Sequence, residues 1–259
     1  GGDGGLMTHS PCVQAASPTT STERRRSIDS IISQAIGMVM DGFMTYERVR
    51  TQKGQTFRAI EDYGSSDDEI YVLDTETTGL FGAPKDVVVD VGICKVSLEK
   101  GTVEDVYSSV LGYDTDEWDD YLKNAWIFEN TDMTLDMVEE APPALNVIAD
   151  VRRLLRKKPV TSYNTEYDFG KFLYEEPWSM RGWFVECCDI MKAATDVCKI
   201  PSEYYGREYR YPKLDFAYAK CVEGDPAGIN GVQDHRALSD ARMASYLMIA
   251  LHENGRYHP

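Results

Sequence analysis

The sequence has few cysteines and histidines, little positive charge and no long apolar run. Its 259 residues include six cysteines (Cys12, Cys94, Cys187, Cys188, Cys198 and Cys221) and four histidines. No CxxC pair occurs, which argues against a zinc cluster, and so few cysteines in so long a chain make a poor disulfide framework. They read as reduced thiols, as expected of a cytoplasmic protein. Asp and Glu outnumber Lys and Arg by 43 to 27, for a formal charge of −16. That balance argues against a surface that grips duplex nucleic acid by phosphate neutralisation alone. It leaves nucleic acid open as a substrate, because an acidic site can bring its own cations. In the most apolar stretch, 28–49, the longest uncharged run is the 11 residues Ser30 to Met40. A membrane-crossing helix needs ~20, so no membrane span is expected. The start lacks the shape of a signal peptide, and Gly1 to Leu6, ahead of Met7, are set aside from the fold.

What is present is an ordinary globular balance, 42% hydrophobic and 27% charged. Residues 1–68 read as an N-terminal arm, an amphipathic helix and a linker, and 69–259 as one folded domain. The arm, 7–27, is rich in Ser, Thr and Pro and ends in Arg24-Arg25-Arg26. Ile28, Ile31, Ile32, Ala35, Ile36, Val39, Met40 and Phe43 recur at helical spacing, predicting a helix over 28–49. The polar stretch 51–68 predicts the linker.

From residue 69 the pattern is denser. Ile70 to Leu73 predicts a strand ending at Asp74, and Val87 to Val96 and Val103 to Leu111 predict two more in an antiparallel meander. A weak helical segment spans 118–138. A stronger one carries Val147, Ile148, Val151, Leu154 and Leu155 on one face. Further strands are predicted at 160–163 and 183–188, with helices at 167–176, after Asp189, near Lys213 and over 236–252. The order βββαβαβα predicts an α/β ribonuclease-H-like fold: a mixed five-stranded sheet, three strands antiparallel and two parallel, flanked by helices.

Three acidic clusters stand out. Asp74-Thr75-Glu76-Thr77-Thr78-Gly79-Leu80 places two carboxylates two apart on a strand, hence on one face. Like charges so close are costly unless a cation lies between them. Asp168 follows Ser162-Tyr163-Asn164 in the first turn of a helix, where an acid also suits the helix dipole. Asp240 lies in the last helix, five residues after His235. Taken singly, each has an ordinary structural explanation. A separate stretch interleaves Tyr204, Tyr205, Tyr209 and Tyr211 with Arg207, Arg210 and Lys213. It suits base stacking beside a cationic track, or equally a surface loop whose tyrosines pack on the body.

Together and in this order, the three clusters resemble the motifs of the DEDDh 3′–5′ exonucleases, the family of ribonuclease T and the proofreading subunit of bacterial DNA polymerase III. Asp74 to Gly79 matches the first motif, Asn164 with Tyr167-Asp168 the second, and His235-Arg236-Ala237-Leu238-x-Asp240-Ala241 the third. The resemblance covers about residues 70–252 and departs at Ser162-Tyr163, where the family usually has Ala-His. It implies phosphodiester hydrolysis at single-stranded or frayed 3′ ends, with two Mg²⁺ or Mn²⁺ ions held by Asp74, Glu76, Asp168 and Asp240. His235 would be the general base, so activity should rise between about pH 6 and 8 as the imidazole loses its proton. The resemblance also implies recognition of the terminal 3′-hydroxyl near Thr77, a wedge at Leu80 and a substrate contact at Asn164. DNA is favoured, as in proofreading or repair. An enzyme trimming RNA 3′ ends stays open, as does a non-catalytic docking module using the arm and helix to bind a polymerase or helicase. The sequence does not fix the oligomeric state.

Overall fold

The computed structural model describes residues 45–51, 54–60, 68–222 and 234–259. Strands β1 (Thr45–Thr51) and β2 (Gly54–Ile60) pair antiparallel as a separate two-stranded sheet. This corrects two expectations. The helix predicted over 28–49 gives way to β1 from Thr45 onward, and the predicted linker contains β2. Thr45, Tyr46, Val49, Thr51, Thr56 and Phe57 are β-branched or aromatic, so strand propensity prevails over a polar composition. The arm and residues 28–44 lie outside the described residues.

The main sheet runs β5-β4-β3-β6-β7. Its strands are β3 (Glu69–Thr77), β4 (Val88–Ser97), β5 (Thr102–Val110), β6 (Pro159–Thr161) and β7 (Val185–Glu186). The first three form the antiparallel meander, while β6 runs parallel to β3 and β7 parallel to β6. This is the mixed five-stranded sheet the sequence predicts. Two details differ. β3 continues past Asp74, with Asp74 opposite Gly92 and Glu76 opposite Asp90 on β4. The strand expected over 183–188 shrinks to two exposed residues, because it pairs at the sheet edge with a neighbour only three residues long.

The weak segment 118–138 resolves into three short helices, α1 (Asp120–Lys123), α2 (Trp126–Asn130) and α3 (Leu135–Glu140). Its own caps restart it: Asp119 accepts from the Leu122 N–H at 3.0 Å and Thr134 from the Met137 N–H at 3.1 Å. The remaining helices are α4 (Ala144–Leu155), α5 (Glu166–Leu173), α6 (Ile190–Cys198), α7 (Leu214–Cys221) and α8 (Ala237–Glu253). α5 is wound wide. The Tyr174 N–H reaches back five residues to the Phe169 carbonyl at 2.8 Å, the π-type spacing.

Both faces of β3 are covered. Ile70 and Val72 join the core against α6, α7 and α8, and Tyr71 and Leu73 join the core against α4 and α5. Strands buried on both sides read as unbroken apolar runs, which is why this one is legible. The two-residue alternation carries Asp74 and Glu76 onto the α8 face and Thr75 onto the α5 face. Gly92 then decides how near α8 comes. A Cβ at Gly92 would collide with the backbone of Ala237 and Leu238. Only glycine lets the first turn of α8 lie on the sheet beside Asp74. Farther along, Ala244, Leu247, Met248 and Leu251 of α8 are buried, each large side chain contributing about 1.5–3 kcal/mol.

Candidate active site

Three elements bring the acids together. β3 presents Asp74 and Glu76, α5 presents Asp168, and α8 presents Asp240. Ligand atoms of Glu76, His235 and Asp240 all lie within 4.8 Å of one another. Asp168 and Asp240 are buried, and Asp74, Glu76 and His235 half-buried. The Thr75 hydroxyl, on the other face of β3, donates to Asp168 Oδ1 at 2.6 Å and so ties α5 to the strand end.

The electrostatics are those of a crowded acidic cluster. Burial raises Asp74 well above the usual carboxylate range, and the charges of Asp168, Asp240 and Glu76 push it further. Glu76 is raised to about 9 by burial, then by Asp240 and Asp90. Asp168 is raised to about 7 by burial, against the lowering effect of hydrogen bonds from Thr75 and Ser162. Anionic oxygens that repel one another in a poorly solvated pocket call for a cation. Four carboxylates form a hard donor set, which suits Mg²⁺ or Mn²⁺ better than zinc. The residues present therefore fit divalent ions.

His235 precedes α8 with φ of +53°, the left-handed region that a side chain rarely adopts. Its ring meets Trp126 of α2 edge to face, centroids 5.2 Å apart. Asp90 fixes the same turn from below. It is 1% exposed, and its Oδ2 accepts from Arg236 Nε at 2.8 Å and from the Ala237 N–H at 3.2 Å. Trp126 and Asp90 were not among the residues predicted for the site. Asp90 had a signal, being the one acid inside the apolar run Val87 to Val96. Trp126 had none.

Of the other predicted residues, Thr77 and Leu80 end and follow β3, Asn164 follows β6, and Arg207 and Arg210 lie between α6 and α7. Thr77 Oγ1 donates to the Gly79 carbonyl at 2.9 Å and shares a short hydrogen bond with the Tyr167 hydroxyl. In that short bond the Tyr167 hydroxyl donates to Thr77 Oγ1, and it lies 2.9 Å from the same carbonyl. Leu80 is 74% exposed. Asn164 Oδ1 accepts from the Tyr167 N–H at 3.2 Å. Arg207 and Arg210 are exposed, and the Arg207 guanidinium lies 4.2 Å from the Tyr211 ring centroid. Tyr204 and Tyr205 stand in solvent rather than packing on the body. No helix among the described residues is long and apolar enough to cross a membrane.

Comparison with known proteins decides the family. The sequence profile of the RNase T exonuclease family matches residues 71–248. The chain belongs to that family. Its DEDDh resemblance and nuclease fold are thereby borne out, and the domain is of a hydrolase class that generally uses divalent metals. The chain is also 26% identical, over 248 residues, to DNA polymerase III PolC-type of Bacillus subtilis (strain 168). The match takes in 95% of this exonuclease-family chain and 15% of that much longer protein. Among solved structures, a 3′-exonuclease described for 3′-end-specific recognition of the histone mRNA stem-loop aligns with a TM-score of 0.51 at 17% identity. The alignment covers 75% of this chain and 85% of that one. A full-length 3′-exonuclease gives 0.51 at 18% identity, covering 74% and 85%. These likenesses show the shared fold.

Proposed function

We propose that this domain is a metal-dependent 3′–5′ exonuclease that removes nucleotides from the 3′ end of single-stranded or frayed nucleic acid, with DNA favoured. The observation that carries the reading is the meeting of Glu76, Asp240 and His235 within 4.8 Å, in one electrostatic cluster with Asp74 and Asp168. Asp74, Glu76, Asp168 and Asp240 would hold two divalent ions, Mg²⁺ or Mn²⁺. Such ions, when bound, polarise the phosphate, stabilise the leaving oxygen and make a water acidic enough to attack at neutral pH.

The protein's own groups do the rest. A ring nitrogen of His235 takes the proton of the attacking water, and the contact with Trp126 restrains the ring for that task. The water oxygen bonds to phosphorus, the bond from phosphorus to the 3′-oxygen of the preceding nucleotide breaks, and that oxygen gains a proton. The products are a nucleoside 5′-monophosphate and a strand shorter by one. Thr77, held by Tyr167, binds the terminal 3′-hydroxyl with the adjoining backbone. Leu80 wedges against the terminal base, and Asn164 contacts the strand. Arg207 and Arg210, beside exposed Tyr204 and Tyr205, form a track for the strand upstream.

The likeness to a PolC-type polymerase supports DNA and association with a polymerase. The test is a time course on 5′-labelled single-stranded DNA and RNA with Mg²⁺, Mn²⁺ or chelator. The expected result is a metal-dependent ladder shortening from the 3′ end, faster on DNA. Faster RNA digestion would reassign the substrate. Binding without cleavage in either metal would replace the nuclease with a docking module.

A further inference from the structure

Tyr163 stands where this chain departs from the family pattern, and its side chain reaches a partner 49 residues away. The ring is buried, and its hydroxyl donates to the Pro212 carbonyl at 2.7 Å. Ser162-Tyr163-Asn164 leaves β6, which runs parallel to β3. The turn therefore lies at the end of the sheet where β3 delivers Asp74 and Glu76. Tyr163 packs in the core against α6, α7 and α8, the face that carries those two acids. Asn164 follows directly, and its carbonyl accepts from the Asp168 N–H at 3.0 Å. The start of α6 fixes this turn through its backbone. The Met191 N–H donates to the Tyr163 carbonyl at 2.9 Å, and Asp189 Oδ2 accepts from the Thr165 N–H at 2.9 Å.

α6 thus begins on the catalytic turn, and it ends in a lobe, residues 199–213. Lys199, with φ of +50°, ends the helix and turns the chain into the lobe. The lobe closes on itself as a hairpin. The Ser202 N–H donates to the Glu208 carbonyl at 3.0 Å and the Arg210 N–H to the Ile200 carbonyl at 2.9 Å, with Gly206 at φ of +86° in the tip. Arg207 Nη2 donates to the Tyr211 hydroxyl at 3.3 Å, so the guanidinium is held ready against that ring. Pro212 closes the lobe and is buried. The exposed cations and tyrosines therefore stand on a braced arm, rooted at the carbonyl that Tyr163 holds. A buried carbonyl is costly to leave without a donor, so the hydroxyl sets where that root lies.

We propose that Tyr163 is a positioning residue that registers the cationic lobe 199–213 against the turn bearing Asn164 and Asp168. Through it, the upstream strand held at Arg207 and Arg210 and the 3′ end held at the acids share one fixed frame. The inference rests on the exonuclease reading and deepens it, because it assigns the lobe's effect to strands long enough to reach it. A dinucleotide occupies the acids and makes no use of the lobe. A buried tyrosine that served only to satisfy its own hydroxyl would act on both substrates alike.

The experiment compares the full chain with Tyr163→Phe, with Arg207→Ala/Arg210→Ala and with all three changes together, each assayed well below its own Tm. The substrates are a 5′-labelled DNA strand of about 20 nucleotides, long enough to span a single-strand site, and a 5′-labelled dinucleotide. On the long strand Tyr163→Phe should raise KM roughly 2- to 10-fold, the worth of one buried hydrogen bond, and soften its salt dependence. Its kcat there, and both constants on the dinucleotide, should stay within about twofold. Added to Arg207→Ala/Arg210→Ala, it should raise KM no further, because the two act through one device. Equal losses on both substrates, a fall in kcat alone, no change on either, or additive effects would overturn the proposal. If the parent digests both substrates and Arg207→Ala/Arg210→Ala leaves KM unchanged, the lobe holds no strand. The proposal then fails while the nuclease reading stands. If the parent digests neither, both fail.

Discussion

Asp90 and Glu76 sit opposite each other on adjacent strands, yet they live in different electrostatic worlds. Asp90 is met by the Arg236 side chain and by the backbone N–H that opens α8. Glu76 faces Asp240, with Asp90 and Asp168 nearby, and its proton is held up to about 9. One acid is neutralised by the protein and fixes a helix. The other belongs to the set of acids that we propose as a seat for divalent cations. The contrast separates an acid that builds the site from acids that work in it, although all are carboxylates within or near one pocket.

The largest expected effect comes from the working side. Asp74→Asn should reduce turnover by about 10³-fold or more, as expected for loss of a ligand to metals that carry the chemistry, and with both proteins chelator-treated the variant should melt no lower than the parent, since one of the mutually repelling carboxylates is gone. Turnover within tenfold of the parent would remove Asp74 from the machinery. His235→Ala should lower kcat by about 10²–10⁴-fold, the range for general-base catalysis, while Mn²⁺ still binds. An unchanged kcat would show that another group takes the proton.

The building side should break differently. Asp90→Ala leaves Arg236 and the Ala237 N–H unmatched and should cost about 3–5 kcal/mol of stability, read as a lower Tm with metal present or absent. If activity falls while Tm holds, Asp90 belongs with the working acids instead.

A pH series sharpens the contrast. Glu76 is raised from 4.5 to about 9 in the folded chain, so folding takes up a proton. Its contribution is therefore favourable below about pH 4.5 and is lost as pH climbs toward 9. Metal-free protein should lose stability steadily across that window, read as a falling Tm, with Glu76→Gln flattening the decline. A metal-free Tm that rises across this window in the parent, with Glu76→Gln unchanged in slope, would refute it. The smallest effect expected is on Arg207 and Arg210. Replacing both with Ala should raise KM several-fold and weaken its salt dependence, since fewer phosphate charges are met. An unchanged KM would leave them as surface residues.

The sheet and the acids were legible for the same reason. Ile70 to Leu73 is apolar because both its faces are covered, and Asp74 and Glu76 interrupt that run where the strand leaves the core. Asp240 was legible because a charge interrupts an apolar helix face. What was hidden depends on distant partners. The role of Asp90 requires knowing that α8 begins above it, and the edge contact of Trp126 with His235 joins residues over a hundred positions apart. Residues 45–60 misled because the apolar spacing before them continued the helical period, while the β-branched residues that set the hairpin were scattered among charges.

The central claim is that Asp74, Glu76, Asp168 and Asp240 form one seat for divalent cations. Titration of the metal-free full chain with Mn²⁺, counting bound ions by the loss of free-ion paramagnetic resonance, tests it most directly. The account predicts two ions per chain at saturation, with at least one lost in Asp74→Asn. No binding by the parent chain, or the same two ions in Asp74→Asn, would contradict it.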